Sequence, residues 1–343
     1  MQSSSPIRVA VIGGGDVFSK HLNALRALNT TFELVSVCDT SAPKRASMGA
    51  ETGLEAHPCF RTCLDSSTPD LVILATPSGT HADQAQMAAE RGVHVLTEKP
   101  MAVKLSDVYD MVETCERNDV RLFTCRQLRQ KPAYVQLKQA VDQNLFGSIY
   151  HVRIEMIWNR NAAYFSQSPW RGTLRNDGGM LLNQGVHYID LMTWLLGPVS
   201  QVFATTATLN RQIETEDIAQ LSWSWRSGTL GSATLTVLGD PKRRRTSIEI
   251  LGEHASVLLS DGAQTIRDWS DPPPRLETPV ESAPAPGTHA SYLLEIAKSI
   301  QGLPSEAVTG RQALPALETI FSAYRSAKLG KAVDVVQRDF RSV

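Results

Sequence analysis

Short apolar runs alternate with amphipathic stretches over the first third of the chain. Five of these runs predict buried strands: 7–12, 32–38, 71–75, 93–97 and 121–124. The stretches between them, such as 19–28 and 81–91, have helical spacing. Strands that alternate with helices are typical of a parallel sheet covered on both faces. The pattern therefore predicts an α/β domain with a doubly wound parallel sheet over residues 1–125.

The pattern changes after residue 125. A helical stretch at 133–143 is followed by runs in which apolar and polar residues alternate: 149–158, 201–209, 218–225, 231–238 and 247–251. Alternation with period two predicts an open, mainly antiparallel sheet with one polar or partly covered face. We therefore expect a second, α+β domain for substrate binding and oligomerisation over 126–343.

The C-terminal part contains a proline-rich stretch and two helical patterns. Residues 271–288 predict a loop that crosses the surface, because proline interrupts regular structure. Residues 289–301 and 312–328 have the apolar spacing of structural helices. The C-terminal helix can pack back on the first domain.

Composition excludes several classes of protein. The chain has 343 residues, with 34 basic and 35 acidic ones, so no overall positive field attracts nucleic acid or lipid. No apolar run is long enough to predict a membrane span, and the N-terminal residues lack an apolar signal core. The number of cysteines is odd, and Cys59 and Cys63 lack a second Cys/His pair for zinc. A reduced, metal-free cytoplasmic protein is expected.

A glycine cluster follows the first predicted strand. Gly13 would permit a tight turn, and Gly15 would let the backbone approach a pyrophosphate at the N-terminus of the next helix. Phe18 stands where a third small residue is usual, so this helix must pack differently against the strand. The context predicts a dinucleotide site, and the alternative is a glycine-rich turn without a ligand.

Asp39 ends the second predicted strand, where such a fold places an acid against the adenosine ribose. Its carboxylate would accept hydrogen bonds from the ribose hydroxyls and repel a 2′-phosphate, which favours NAD over NADP. Lys44 and Arg45 could instead bind a 2′-phosphate, so NADP stays open. The alternative for Asp39 alone is a solvated turn carboxylate or a helix cap.

The order of the motifs resembles the Gfo/Idh/MocA oxidoreductases over nearly the whole length. The motifs are Gly13-x-Gly15 with His21 beyond it, Thr76-Pro77-Ser78-x-x-His81, Glu98-Lys99-Pro100, Asp177-Gly178-Gly179 and His187-x-x-Asp190. The resemblance implies a Rossmann domain and an α+β domain whose open sheet covers the cofactor and makes subunit contacts, in a homodimer or homotetramer. It also implies that the bond before Pro100 is often cis.

The resemblance implies NAD as cofactor and no metal. Within it, the expected NAD-binding residues lie at the glycine turn, after the later strands and in the second domain: Gly13, Gly15, Asp16, Val17, Asp39, Thr76, Pro77, His81, Glu98, Lys99 and Arg171.

A narrower likeness concerns the substrate. The motifs Trp158-Asn159-Arg160-x-x-x-Tyr164, Trp170-Arg171-Gly172-Thr173 and Asn183-Gln184 are similar to those of bacterial UDP-N-acetylglucosaminuronate 3-dehydrogenases, which supply a 3-keto sugar for surface polysaccharide. This implies a nucleotide-sugar substrate and, as in some relatives, a 2-oxo acid as second oxidant. Phe18, Phe165 and Leu174 depart from the subgroup. The expected substrate-binding residues are Lys99, Arg160, Tyr164, Asn183, Gln184 and His187.

Oxidation of a secondary alcohol needs a hydride acceptor and a base for the hydroxyl proton. Lysine is a poor base at an unperturbed pKa of about 10.4, whereas histidine, at about 6.5, needs less adjustment. We therefore assign His187 as the general base and Lys99 as the group that stabilises the alkoxide, and the reverse assignment stays open. Both side chains are expected to meet at one alcohol. Asp190 either orients the His187 ring or only belongs to the same helix.

Arginines in the second domain suit anionic ligands. Arg160 and Arg171 could bind a carboxylate or phosphate in bidentate fashion, or pair with surface acids. The basic run 242–245 could bind a diphosphate, but a solvated loop is the favoured interpretation. Other functions also stay open: another sugar or cyclitol dehydrogenase, an NADP-dependent ketosugar reductase, a redox-assisted glycosidase, or a sensor that has lost turnover.

Overall fold

A computed structural model describes residues 5–260, 268–269 and 284–338. These residues form two compact units. The first comprises residues up to 127 together with 281–312, and the second comprises 128–280 together with 313–343. The first unit is thus built from two separate stretches of chain. Residues 271–283 of the predicted proline-rich loop lie outside the described residues.

The strands of the described residues are β1 (Ile7–Ile12), β2 (Phe32–Cys38), β3 (Ala56–His57), β4 (Leu71–Leu74), β5 (His94–Thr97), β6 (Leu122–Thr124), β7 (Ile149–Ile157), β8 (Gln201–Ala207), β9 (Ile218–Ser224), β10 (Leu230–Thr236), β11 (Arg245–Gly252), β12 (Ser256–Ser260), β13 (Asp268–Trp269) and β14 (Val333–Asp334).

The α-helices of the described residues are α1 (Phe18–Ala27), α2 (Ala42–Thr52), α3 (Phe60–Ser67), α4 (His81–Ala89), α5 (Leu105–Arg117), α6 (Pro132–Asp142), α7 (Ala162–Ser166), α8 (Val186–Leu196), α9 (His289–Ile300) and α10 (Gly310–Leu329). A π-helical turn, Leu181–Gly185, runs directly into α8. None of the described helices combines the length and the apolar character needed to cross a bilayer.

The first unit contains a parallel sheet in the order β3-β2-β1-β4-β5-β6. The predicted doubly wound parallel sheet is confirmed. The strand order reverses direction between β1 and β4, and in such sheets ligands bind outside the carboxyl ends of the strands at this point. The loops that follow β1, β2, β4 and β5 therefore define the place where a cofactor site is expected.

Phe18, the large residue just after the glycine turn, is buried in the core of the first unit. Its side chain is 4% exposed and belongs to a core cluster that includes Val9 and Val11 of β1 and Tyr292 and Ile296 of α9. Helix α9 packs against α1 in this unit. The phenyl ring therefore stabilises the first unit through its contact with the core, which explains how the turn tolerates a large residue.

The second unit contains a mixed sheet in the order β13-β12-β11-β7-β10-β9-β8-β14. The pairs are antiparallel except for β7 with β10, so the predicted mainly antiparallel sheet is confirmed. Burial alternates along the strands, and the outward face carries the ion pair between Arg153 and Glu249 at 3.0 Å. Ser222 and Ser232 lie in register on this face, which is therefore largely polar, as period-two alternation indicates.

Candidate active site

Gly13 lies at a point where the chain leaves no room for a side chain. Its φ is +104°, and a Cβ atom there would lie 2.5 Å from the carbonyl oxygen of Ala75. Its own N–H donates to the carbonyl oxygen of Cys38 at 2.7 Å. The turn after β1 is thus held between the ends of β2 and β4, and only glycine allows this close approach.

Asp39 supports the same turn through its carboxylate. One oxygen accepts the N–H of Gly14 at 2.8 Å, and the other accepts the N–H of Ser41 at 2.7 Å. Each carboxylate oxygen has a further lone pair, so ribose hydroxyls can still donate to it. Arg45 donates to the carbonyl oxygens of Asp39 and Thr40 at 3.0 and 2.9 Å. These contacts fit the adenosine end of NAD, and they engage a cation that would otherwise favour a 2′-phosphate.

His81 connects two loops at the carboxyl edge of the first sheet. Its Nδ1 lies 3.1 Å from the carbonyl oxygen of Pro100, and its Nε2 lies 2.9 Å from that of Thr76. Complete burial lowers the pKa of His81, although the hydrogen bonds with the two carbonyl oxygens raise it. His81 thus holds together the loops that follow β4 and β5, where a cofactor site is expected. The Lys99–Pro100 bond is cis, as predicted.

Glu98 is fixed by two imidazoles within the first unit. Its Oε1 lies 2.9 Å from Nε2 of His21 and 3.7 Å from Nε2 of His289, and its Oε2 accepts the N–H of Lys99 at 3.3 Å. Burial opposes ionisation, but the hydrogen bond from His21 and the charge interactions with His21 and His289 outweigh it and hold the pKa of Glu98 well below its usual range. One ring nitrogen each of His21 and His289 and one carboxylate oxygen of Glu98 lie within 4.8 Å of one another. This spacing would also allow the three residues to bind a metal ion.

His289 was not a candidate from sequence, because its helix shows only the apolar spacing of a structural element. It reaches Glu98 because α9 belongs to the first unit. The carboxylate before Lys99 is therefore positioned by side chains from both separate stretches of this unit.

In the second unit, two guanidinium groups stack on one aromatic ring. The Cζ atoms of Arg171 and Arg160 lie 4.1 and 4.7 Å from the centroid of the Tyr164 ring. Arg171 also donates to the Tyr164 carbonyl oxygen and to Oε1 of Gln167, both at 2.8 Å. Nε of Arg160 is buried without a hydrogen-bond partner among the described residues. Sequence reasoning proposed these arginines as ligands of anions, and the structure brings them together.

Arg244 joins this group from the basic run 242–245. Its Cζ lies 4.2 Å from the centroid of the Trp158 ring, and Arg160 lies 5.7 Å from the same ring. Arg245 instead pairs with Glu155 of β7 at 3.4 Å. The favoured sequence interpretation was a solvated loop. Arg244 is exposed, but it contributes to a cation–aromatic cluster that we define as Trp158, Arg160, Tyr164, Arg171 and Arg244.

Asn183 is buried within the turn that precedes α8. Its side-chain N–H donates to Oδ1 of Asp177, whose Oδ2 accepts the N–H of Gly172 at 2.7 Å. The backbone N–H of Asn183 donates to the carbonyl oxygen of Gly179 at 2.9 Å. Asn183 and its neighbour Gln184 are 7% and 6% exposed, so a substrate could reach only a small part of each side chain.

His187 lies in the first turn of α8 and is partly exposed. The next residue, Tyr188, packs edge-to-face against Trp158 with ring centroids 6.0 Å apart. The helix that carries His187 therefore contacts the cation–aromatic cluster. Asp190 accepts two hydrogen bonds from Arg129 at 2.9 and 2.8 Å, which is a partner that sequence reasoning did not identify.

Two family models match the chain and cover most of both units. Residues 7–125 match the NAD-binding Rossmann fold of the Gfo/Idh/MocA oxidoreductase family, and residues 134–258 match the family's C-terminal domain. The chain belongs to the Gfo/Idh/MocA family of oxidoreductases, as its motifs indicated.

Solved structures and a curated relative refine this placement. The WlbA dehydrogenase of Chromobacterium violaceum, solved with NADH and UDP-GlcNAcA, is 36% identical, with 98% of each chain covered and a TM-score of 0.92. The WlbA dehydrogenase of Bordetella pertussis, solved with the same ligands, is 35% identical, with 97% of this chain and 100% of that chain covered and a TM-score of 0.88. The D-apiose dehydrogenase of Paraburkholderia graminis is 26% identical, with 95% and 89% covered.

Proposed function

We propose that the chain oxidises the carbon 3 hydroxyl of UDP-linked N-acetylglucosaminuronate, with NAD⁺ as the hydride acceptor. The observation that carries this proposal is the 36% identity, over 98% of both chains, with a WlbA dehydrogenase solved with NADH and UDP-GlcNAcA. The glycine turn and the carboxylate of Asp39 are suited to NAD. The cation–aromatic cluster is suited to an anionic sugar nucleotide.

The chemistry requires one hydride transfer and one proton transfer. Bound NAD⁺ supplies the hydride acceptor for the hydrogen on carbon 3. His187 takes the hydroxyl proton, and the Lys99 ammonium donates a hydrogen bond to the oxygen as negative charge develops on it. The carbon–oxygen single bond becomes a carbonyl, and the proton leaves with His187. If Lys99 instead takes the proton and His187 donates the hydrogen bond, the same bonds form and break.

The substrate carries a carboxylate and a diphosphate, and the cluster offers three guanidinium groups. Arginine binds such groups through two parallel hydrogen bonds and stays charged at all working pH values. Stacking on Tyr164 and Trp158 restricts Arg160, Arg171 and Arg244, so less conformational entropy is lost when the anion binds. We propose that this cluster selects sugar nucleotides that carry the acid group.

Steady-state kinetics test which sugar nucleotide the enzyme oxidises. UDP-GlcNAcA is compared with UDP-GlcNAc, which lacks the carboxylate, by the absorbance of NADH and by mass spectrometry of the sugar. UDP-GlcNAcA should be oxidised, with a loss of two mass units, at a rate at least tenfold higher than that of UDP-GlcNAc. This factor is about the contribution of one charge-assisted hydrogen bond. The assay is repeated with an added 2-oxo acid, in case NADH stays bound. Oxidation of D-apiose but not of UDP-GlcNAcA would contradict the proposal.

Variants test the catalytic pair. Lys99→Met and His187→Gln should each lower kcat by about 10² to 10⁴, the usual contribution of a positioned acid or base. Lys104→Met and His254→Gln change exposed residues of the same types and should leave kcat unchanged. NADH binding, measured by fluorescence, should be unchanged in His187→Gln and in both control variants. It should be weaker but still measurable in Lys99→Met, because Lys99 is also expected to contact NAD. Full turnover in both catalytic variants would show that other groups move the proton.

A further inference from the structure

Glu216 is a buried carboxylate that holds the start of the turn before α8. It lies in the connection between β8 and β9 and is 8% exposed. Its Oε1 accepts the N–H of Leu181, the first residue of the π-helical turn, at 2.7 Å. The same oxygen accepts the hydroxyl of Tyr324 at 2.8 Å. A single carboxylate therefore connects α10 to the segment that carries Asn183.

The hydroxyl of Tyr324 has two acceptors within reach. It lies 2.8 Å from Oε1 of Glu216 and 3.2 Å from the carbonyl oxygen of Gly178. One hydroxyl proton makes one good hydrogen bond, and an ionised carboxylate is the stronger acceptor. When Glu216 is protonated, the acid can donate to the phenolic oxygen, and the hydroxyl of Tyr324 is then available to Gly178. The protonation of one side chain thus changes the hydrogen bonding of the glycine turn.

Gly179 makes this arrangement possible and transmits it. Its φ is +114°, and a Cβ atom there would collide with the carboxylate of Glu216 and the hydroxyl of Tyr324. The carbonyl oxygen of Gly179 accepts the N–H of Asn183, and Asp177 in the same turn accepts the side chain of Asn183. A shift at Gly178 or Gly179 is therefore passed on to Asn183, which lies four residues before His187.

We propose that Glu216 and Tyr324 are a proton-dependent pair of positioning residues, which set the orientation of segment 178–185 and, through it, of Asn183 and His187. The inference rests on the proposed function for its kinetic readout alone. With Glu216 ionised, Leu181 and Tyr324 are both held by the carboxylate, which is the arrangement in the structure and the active one. With Glu216 protonated, Tyr324 turns to Gly178, and turnover falls.

The titration lies in the range where the enzyme would work. Burial raises the pKa of Glu216 to about 7, although the hydrogen bonds from Leu181 and Tyr324 lower it, and the negative charge of Asp177 adds to the rise. Burial and the neighbouring Glu216 also raise the pKa of the Tyr324 hydroxyl well above its usual value, so Tyr324 keeps its proton. Glu216 is therefore the member of the pair that changes charge near neutral pH.

Kinetic measurements compare kcat/KM at pH 6 and pH 8. The ratio of kcat/KM at pH 8 to kcat/KM at pH 6 should be about fivefold larger in wild type than in Glu216→Gln. This factor is equivalent to one hydrogen bond. The pH dependence that His187 contributes as general base is common to both proteins. Tyr324→Phe has no hydroxyl that can turn to Gly178, and it loses a hydrogen bond that lowers the pKa of Glu216, so its transition should be smaller than that of wild type and lie at higher pH. Glu33→Gln, an exposed acid on β2, should match wild type.

Glycine labelling separates this inference from the proposed function. In protein labelled with ¹⁵N-glycine, the amide signals of Gly178 and Gly179 should shift with a midpoint near pH 7 in wild type and not in Glu216→Gln. This holds whether or not UDP-GlcNAcA is turned over, so failure of the substrate assay tests the proposed function alone. The same pH dependence in wild type, Glu216→Gln and Tyr324→Phe, in the amide signals or in kcat/KM, would overturn the inference.

Discussion

The guanidinium of Arg129 binds both carboxylate oxygens of Asp190, with distances of 2.9 and 2.8 Å. The side chains are 11% and 2% exposed, so the pair is largely withdrawn from water. Arg129 also lies over the ring of Trp194, 5.6 Å from its centroid. Asp190 therefore anchors α8 to the segment before α6, and the helix that carries His187 is fixed on the side where this pair lies.

Asp190→Asn should lower the free energy of unfolding by about 3 kcal/mol, because it leaves the guanidinium of Arg129 without its full counter-charge. Urea denaturation measures this change. Asp142→Asn breaks the solvent-exposed pair with Lys138 and should cost less than about 1 kcal/mol. Equal losses in the two variants would show that the Arg129–Asp190 pair does not anchor the helix.

Asp39→Asn should weaken NAD⁺ binding by about tenfold, since the amide has one acceptor atom in place of two charged ones. The same change should improve NADP⁺ binding, because the negative charge that repels the 2′-phosphate is gone. The adenosine ribose is the same in the oxidised and reduced cofactors, so fluorescence titration with NADH and NADPH measures the ratio of the two affinities. Glu51→Gln, an exposed change on α2, is the matched control. An unchanged ratio would remove Asp39 from cofactor selection.

Arg244→Gln should raise KM for UDP-GlcNAcA by about tenfold, the value of a charge-assisted hydrogen bond, and leave kcat nearly unchanged. Arg243→Gln alters the neighbouring exposed arginine, which is outside the cation–aromatic cluster, and should change KM less than about twofold. If both variants raise KM equally, the basic run acts through its general field. If neither does, Arg244 does not contact the substrate.

Glu216 should make stability depend on pH in an unusual direction for an acid. Its pKa rises from 4.5 to about 7 on folding, so the folded state favours the protonated form. The resulting stability is present below pH 4.5, is lost as pH rises towards 7 and stays lost above it. Glu216→Gln cannot ionise. Wild type should therefore lose about 2.5 kcal/mol of unfolding free energy relative to this variant between pH 5 and pH 8. Parallel curves would contradict the burial of this charge.

Local patterns predicted the first strands of the parallel sheet. β1 and β2 begin and end at the predicted residues, because strands buried on both faces are continuous apolar runs bounded by turn residues. Strands β3, β12, β13 and β14 were missed. Three of them have only two residues, and alternation needs more residues to be recognised. The π-helical turn Leu181–Gly185 was also missed, because it differs from an α-helix in its backbone hydrogen bonds.

The residues that sequence reasoning missed are brought in by the fold from distant segments. Gly13 and Asp39 could be predicted because a strand and a turn define them locally. Glu216 reaches Leu181 across 35 residues. The contacts of His289 with Glu98 and of Arg244 with Trp158 likewise depend on the tertiary fold, and no spacing in the sequence encodes them.

Isotope transfer tests the central claim most directly. UDP-GlcNAcA deuterated at carbon 3 is mixed with the enzyme and NAD⁺ for a single turnover, and the cofactor and sugar are analysed by mass spectrometry. The proposed function predicts that the deuterium appears in the reduced nicotinamide and that the sugar is a 3-keto acid. A reduced cofactor without deuterium, with the label still in an oxidised sugar, would show that another carbon is oxidised and would contradict it.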